Sequence, residues 1–415
     1  MRNVASLLLA ALCVLSFACA PTEPIRQVDV VEQTKAPITA VPTQQPTNTP
    51  TPTPIPTETP SPTPLSEDAL LMQYIAGMTT TEKIGQLCMF GFSGTEQVSS
   101  RFASILATYK VGNVILYGQN ISRTNSDGGF AQCRGLTKSL QAANTSDIPL
   151  LISTDVEGGN VTRFHWGTSL YSARTLGSKY DEAVASDQFA YIASNLVDVG
   201  ITVDLAPVLD IAKSPTDSFL GKRILSSDAD VASRIGVACI EGLHAGGCLS
   251  IVKHFPGHGA TNTDSHDTTP IIDRSLDSLS AYELIPFEAG LTVADGVMVG
   301  HLLYPQIDDD VASMSDVFIT TLLRETYGFD GIVMSDDFRM AGLRSRYKLS
   351  DAAVQFILAG GDLILCGANH SYQEQILAGL TAAAEDGTLT QARLDESVFR
   401  ILRAKMRVTD WEPTR

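Results

Sequence analysis

Eight short apolar runs, each set off by a longer stretch of helical periodicity, predict an α/β chain folded as a (β/α)8 TIM barrel with a single catalytic domain. Three observations carry this. The runs are continuously apolar rather than alternating, as parallel strands covered on both faces are. The stretches between them repeat their apolar residues at helical spacing. Ionisable residues recur at the C-terminal ends of the runs, which is the rim where barrels of this class carry their sites. A doubly wound open sheet is the competing arrangement. No Gly-x-Gly-x-x-Gly or phosphate-loop pattern follows the first run, so nucleotide binding has no support.

In chain order, residues 1–20 combine Arg2 with an apolar stretch of signal-peptide length. Ala18-Cys19-Ala20 fits ordinary signal removal, and Leu15-Ser-Phe-Ala-Cys19 fits a bacterial lipobox that would leave Cys19 lipidated. The lipoprotein reading is preferred because residues 21–65 form a Pro/Thr-rich disordered linker, a spacer that suits an anchored protein. Any membrane contact would then run through that lipid at Cys19, and the protein would be exported and held on the outer face of the cytoplasmic membrane. No other stretch is long and apolar enough to span a bilayer.

The barrel domain is expected over 66–410. Its strand-like runs are 85–92, 112–117, 149–155, 201–207, 248–253, 296–301, 331–336 and 361–366. Helical periodicity is clearest at 187–199, 228–245, 279–291 and 349–358. The formal net charge of −17 argues against a nucleic-acid partner, which rewards basic surfaces. Beyond Cys13 and Cys19 the cysteines are Cys88, Cys133, Cys239, Cys248 and Cys366. Their odd number and the lack of metal-ligand spacing predict buried thiols rather than disulfides or a metal site.

Five consecutive runs aim unusual side chains at one rim. Asp155 ends the third run, with Glu157 and Arg163 following, and Asp204 lies in the fourth, with Asp210 and Arg223 after it. Lys253 and His254 close the fifth run and lead into a loop with His258, Asp264 and His266, while His301 ends the sixth and Asp336-Asp337 the seventh. Carboxylates that accept and cations that donate hydrogen bonds, without clustered metal ligands, suit a hydroxyl-rich sugar. For Lys253 an ion pair with Asp204 or Asp155 is expected, and His301 fits either the pocket wall or the core.

The run Lys253-His-Phe-Pro-Gly-His-Gly259 with Asp264-Ser-His266 resembles the motif of glycoside hydrolase family 3, in its bacterial β-N-acetylhexosaminidase branch. Asp155-Val-Glu-Gly-Gly, Asp204-Leu-Ala-Pro-Val-Leu-Asp210 and Gly328-Phe-Asp-Gly-Ile-Val-Met-Ser-Asp-Asp337 resemble its other motifs and stand in the same order. The resemblance implies a barrel that removes terminal β-N-acetylglucosamine with retention of configuration. It also implies Asp336 as nucleophile, His266 as acid/base and Asp264 as the partner that orients His266. A histidine suits both proton steps because it titrates near neutrality. Asp155, Arg163, Arg223, Lys253 and His254 match sugar-binding positions, and His258 and Asp337 match supporting ones. Two stretches depart from the family: Gly158-Gly-Asn160, where Gly-Gly-Arg is usual, and Gly221-Lys-Arg-Ile-Leu, where Arg-Ser-Phe is usual.

This chemistry requires no metal or organic cofactor. A β-glucosidase of the same fold would lack the Asp-x-His loop. A phosphorylase would use the same residues, since an imidazole does not repel incoming phosphate. A sugar-binding lipoprotein with a dead site would need neither a nucleophile nor a proton shuttle.

Overall fold

A computed structural model describes residues 65–123, 126–214, 216 and 218–414. The expected signal peptide, nearly all of the linker and Cys19 lie outside the described residues. The strands are β1 (Cys88–Gly91), β2 (Asn113–Ile115), β3 (Leu151–Thr154), β4 (Val203–Asp204), β5 (Leu249–Phe255), β6 (Gly296–Val299), β7 (Ile332–Ser335) and β8 (Ile364–Cys366). Every strand is buried along its whole length, which is why each reads as a continuous apolar run.

All neighbouring strands pair in parallel in the order β7-β6-β5-β4-β3-β2-β1-β8. A single parallel bridge, Met334↔Leu363, brings β7 back to the chain entering β8. The sheet therefore curls into a (β/α)8 barrel and is not an open doubly wound layer. Its closing seam is pinned by side chains as well as backbone. Asp362, fully buried, accepts from Val333 N at 2.9 Å, and Ser335 Oγ accepts from Leu365 N at 3.0 Å. Arg324, Arg393 and Arg400 surround the same Asp362 carboxylate.

Three boundaries differ from the sequence expectation, each for a local reason. The run 85–92 begins inside the helix Thr80–Gln86, whose start is marked by a capping box between Thr79 and Glu82. Gly85 belongs there because a Cβ would lie 2.2 Å from the Lys110 carbonyl oxygen. The expected helix over 279–291 is broken into Leu276–Ser280 and Ile285–Leu291. Pro286 sits in the first turn of the second piece, where its missing N–H leaves no bond unmade. The helix expected from 187 starts earlier, as Glu182–Asp198, with Asp181 capping Val184 N. The helices Ala229–Ala245 and Leu349–Leu358 match their periodic stretches closely.

The C-terminal helix Gln391–Val408 lies across the base of the barrel. Its buried Lys405 donates to Gln86 Oε1, Gly112 O and Pro149 O at 2.8, 2.8 and 2.9 Å, the last two just ahead of β2 and β3. The five cysteines of the body are all free and buried. No helix among the described residues is long and apolar enough to cross a membrane.

Candidate active site

At the C-terminal rim of β2 to β7, a cavity of about 520 Å3 is lined by Asp155, Glu157, Arg163, Arg223, Lys253, His254, His258, His266, Asp336 and Asp337, with Tyr117, Phe219, Arg339 and Met340 among the rest of its wall. Of the eight residues to which the family resemblance gives a catalytic or sugar-binding role, seven line this cavity. Asp264, the eighth, lies behind His266.

The floor is a chain of ion pairs. Lys253, on β5 and buried, reaches Asp155 Oδ1 and Glu157 Oε1, both at 2.8 Å. Arg163 holds the other Asp155 oxygen at 2.6 Å, and Arg223 holds Glu157 through two bonds of 2.7 and 2.8 Å. Burial pushes the Glu157 carboxyl upward, but Lys253 and Arg223 outweigh it and hold the group at about 2. Asp155 is likewise held well below the usual carboxylate range by Lys253 and Arg163 against the effect of burial. Arg163 sits at φ +55°, a left-handed backbone that costs a non-glycine residue roughly 1 kcal/mol or more. Its pairing with Asp155 helps hold it there.

The chain of contacts continues into the loop after β5. Arg223 Nη2 lies 3.3 Å from His254 Nε2, and His254 Nδ1 lies 2.7 Å from Asp210 Oδ2. The other Asp210 oxygen accepts from His258 N at 2.5 Å, and His258 Nε2 lies 3.0 Å from Ser265 Oγ. Gly257, at φ +134°, makes the turn that brings His258 back onto Asp210. The Lys253–His254 and Phe255–Pro256 peptide bonds in this segment are cis.

Ser265 adjoins His266, whose Nδ1 lies 2.7 Å from Asp264 Oδ1 while its backbone N–H donates to the same oxygen at 2.8 Å. The His266 side chain is 66% exposed, whereas the residues of the floor are buried or half-buried. The Asp264–Thr268 turn rests on the loop after β7: Ala341 N donates to His266 O and Gly342 N to Ser265 O, both at 3.2 Å. Asp336 itself directly follows β7 and caps its own successor through Asp337 N at 2.7 Å. Burial acts to raise the Asp336 carboxyl, but His254, His301, the Asp337 N–H and His266 together hold it below the ordinary aspartate range.

Asp337 is a structural hub beside it. It accepts from Tyr117 Oη at 2.8 Å, from Arg339 Nη2 at 2.7 Å and from Gly367 N at 3.1 Å, tying the ends of β2, β7 and β8 together. The Arg339 and Arg163 guanidiniums stand 5.2 and 5.9 Å from the Tyr117 ring centroid.

One expectation needs correction, and two open alternatives are decided. Asp204 does not reach the cavity; it is fully buried, accepts from Val156 N at 2.8 Å, and burial pushes its carboxyl well above the usual range. Lys253 pairs with Asp155 and, in place of Asp204, with Glu157. His301 is a core histidine bonded to Ser313 Oγ at 2.7 Å and is absent from the cavity wall. Sequence reasoning placed Glu157 at the rim without a role, and it missed Tyr117 and Arg339 as site residues. Glu157 stood inside a quoted motif, but its two cationic partners lie far along the chain.

Chemically, the arrangement offers a buried ionised carboxylate and an imidazole–carboxylate pair facing one polar cavity. Residues 79–404 match the glycosyl hydrolase family 3 N-terminal domain. The chain is 29% identical over 374 residues to β-hexosaminidase A of Pseudoalteromonas piscicida, covering 80% of this chain and 62% of that protein. It is 32% identical over 302 residues to the β-hexosaminidase of Idiomarina loihiensis, covering 72% and 88% respectively. The family 3 β-N-acetylglucosaminidase structure from a Paenibacillus species superposes with a TM-score of 0.76 at 34% identity, over 80% of this chain and 63% of that one. The chain thus spans a little under two thirds of the Pseudoalteromonas and Paenibacillus proteins.

Proposed function

The chain belongs to glycosyl hydrolase family 3, and from that premise we propose that it is a retaining β-N-acetylhexosaminidase. It releases terminal non-reducing β-N-acetylglucosamine from saccharides derived from peptidoglycan or chitin. The observation that carries the reading is the meeting of Asp336 and His266 in one cavity, with Asp264 bonded behind the imidazole.

In this reading Asp155, Arg163, Arg223, Lys253 and His254 grip the sugar hydroxyls, with Glu157 holding Lys253 and Arg223 in place. Asp336 attacks the anomeric carbon while His266 gives its proton to the departing oxygen, forming a glycosyl-enzyme. Asp264 sets the ring orientation and stabilises the imidazolium. His266 then takes a proton from water as that water displaces Asp336, restoring the β-configuration. The relatives, named β-hexosaminidase and β-N-acetylglucosaminidase, support the choice of sugar.

The test is turnover of p-nitrophenyl β-N-acetylglucosaminide against the matching β-glucoside, with and without phosphate, following the sugar by NMR. Release of β-N-acetylglucosamine with the glucoside inert is expected. Sugar 1-phosphate would make the protein a phosphorylase, and equal turnover of the glucoside would move it to the β-glucosidases. We further propose export and lipidation at Cys19, resting on the first 65 residues alone. A Cys19→Ala variant should leave the membrane fraction, and continued partition with membranes would end that proposal.

A further inference from the structure

A second cavity, of about 680 Å3, opens beside the first and shares Glu157, Val161, Phe219, Leu220 and Arg223 with it. The rest of its wall comes from the loop after β3, including Trp166, and from Arg123 and Lys222. Asp336 and His266 line only the first cavity.

Its border gathers exposed aromatic rings. Among the described residues, four aromatic side chains are strongly exposed: Tyr171, Tyr180, Tyr191 and Phe219. Phe219 lines the second cavity, and Tyr171 stands between its wall residues Leu170 and Ser172. Tyr191 packs against Trp166 with ring centroids 5.9 Å apart. Lys179, the neighbour of Tyr180, holds its ammonium 4.5 Å from the Tyr171 ring. Paired bonds of 2.7 and 3.1 Å to Gln188 fix the Tyr171 backbone to the helix Glu182–Asp198, one turn before Tyr191. Apolar surface left in water and grouped on one face marks a place that something covers.

The polar groups narrow the occupant. Glu157 is the sole carboxylate on this wall and is already neutralised by Lys253 and Arg223. Arg123 and Lys222 stand exposed at the rim, and Asn160, Thr168 and Ser169 add amide and hydroxyl groups. Flat rings with hydrogen-bonding groups at their edges match a pyranose, which has an apolar C–H face and a hydroxyl edge.

We propose that this cavity and its tyrosine border bind the part of a β-linked N-acetylhexosamine chain that lies beyond the residue being cleaved, so that the protein grips polymeric glycan. The identity of the sugar rests on the hexosaminidase reading. Chitin and wall glycan strands share this chemistry, and wall strands add carboxylates that Arg123 and Lys222 would favour.

The experiment uses the full chain and a Tyr171→Ala/Tyr191→Ala variant, whose changes lie outside the cleavage cavity. Retention on insoluble chitin and on purified peptidoglycan is measured alongside turnover of the p-nitrophenyl substrate and the thermal midpoint. The variant should lose about tenfold in polymer affinity, with small-substrate turnover and thermal midpoint unchanged. Lys222→Ala separates the sources: weaker retention on peptidoglycan alone identifies wall glycan, and unchanged retention on both identifies neutral chitin. Undiminished binding of the double variant to both polymers, or no binding of either by the unmodified protein, would overturn the proposal. Tyrosine-dependent binding without any small-substrate turnover would instead sink the hexosaminidase reading and leave only the glycan-binding role of the tyrosine border standing.

Discussion

His266 and Asp336 face the same cavity from opposite environments, one ring largely in water and one carboxylate enclosed by protein. That difference sets two predictions on the proposed roles. A p-nitrophenolate leaves without needing a proton, whereas a sugar hydroxyl does not. His266→Ala should therefore lose at least about 100-fold on an unactivated disaccharide and much less on the p-nitrophenyl glycoside. Equal losses on both substrates would remove His266 from the acid role. Asp336 acts as a carboxylate, and its net downward shift keeps it ionised to lower pH than a free aspartate. The acid limb of kcat/KM should then fall below about 3.9, the ordinary aspartate value. Glu157 makes the third case, because its loss would leave Arg223 without its carboxylate and Lys253 with Asp155 alone. Glu157→Ala should cost about 3–5 kcal/mol in urea unfolding, and an unchanged midpoint would contradict the ion-pair account.

Among the elements, the turn carrying His266 is held from outside its own strand. A Cβ on Gly342 would lie 2.8 Å from Ser265 O and 3.1 Å from Thr268 O, so Gly342→Ala must lift the turn or shift the short helix Ala341–Arg344. The expected result is a fall in kcat of up to about 100-fold with the thermal midpoint nearly kept, read by steady-state kinetics and a melting curve. An unchanged kcat would mean that the turn is not gripped there. The same elements show what the sequence makes legible. The eight strands stood out because burial on both faces demands continuous apolar runs, and the loop of Lys253 to His266 because its residues are rare together. Boundaries were harder, since most strands are shorter than the apolar runs that hold them, while β5 continues past its run to Phe255. Partnerships were hardest. Tyr117 meets Asp337 across 220 positions and Arg223 meets Glu157 across 66, and periodicity carries no such distance. Asp204 misled for a related reason, because a polar residue on a strand looks the same in sequence whether it faces a cavity or serves a buried backbone N–H.

At the scale of the whole molecule, two devices complete the barrel: the seam between β7 and β8, and the C-terminal helix beneath. Lys405 matches its three N–H groups to three acceptors there. Lys405→Met should destabilise the protein by about 2 kcal/mol, seen as a lower urea midpoint at unchanged slope, because it leaves Gln86 Oε1 and Pro149 O without this donor while Gly112 O keeps only Leu151 N. An unaltered midpoint would show that the base closes without it. The same helix also locates the start of the described chain. Helix Glu67–Ala76 packs on Gln391–Val408, and Tyr74 stacks edge-on with Trp411 at 5.1 Å while its hydroxyl reaches Asp147, just ahead of β3. These contacts belong to the strands' N-terminal ends, the face opposite the cavities. The chain therefore enters the barrel from behind. A label or support attached at residue 65 would therefore meet the barrel on the side away from its openings.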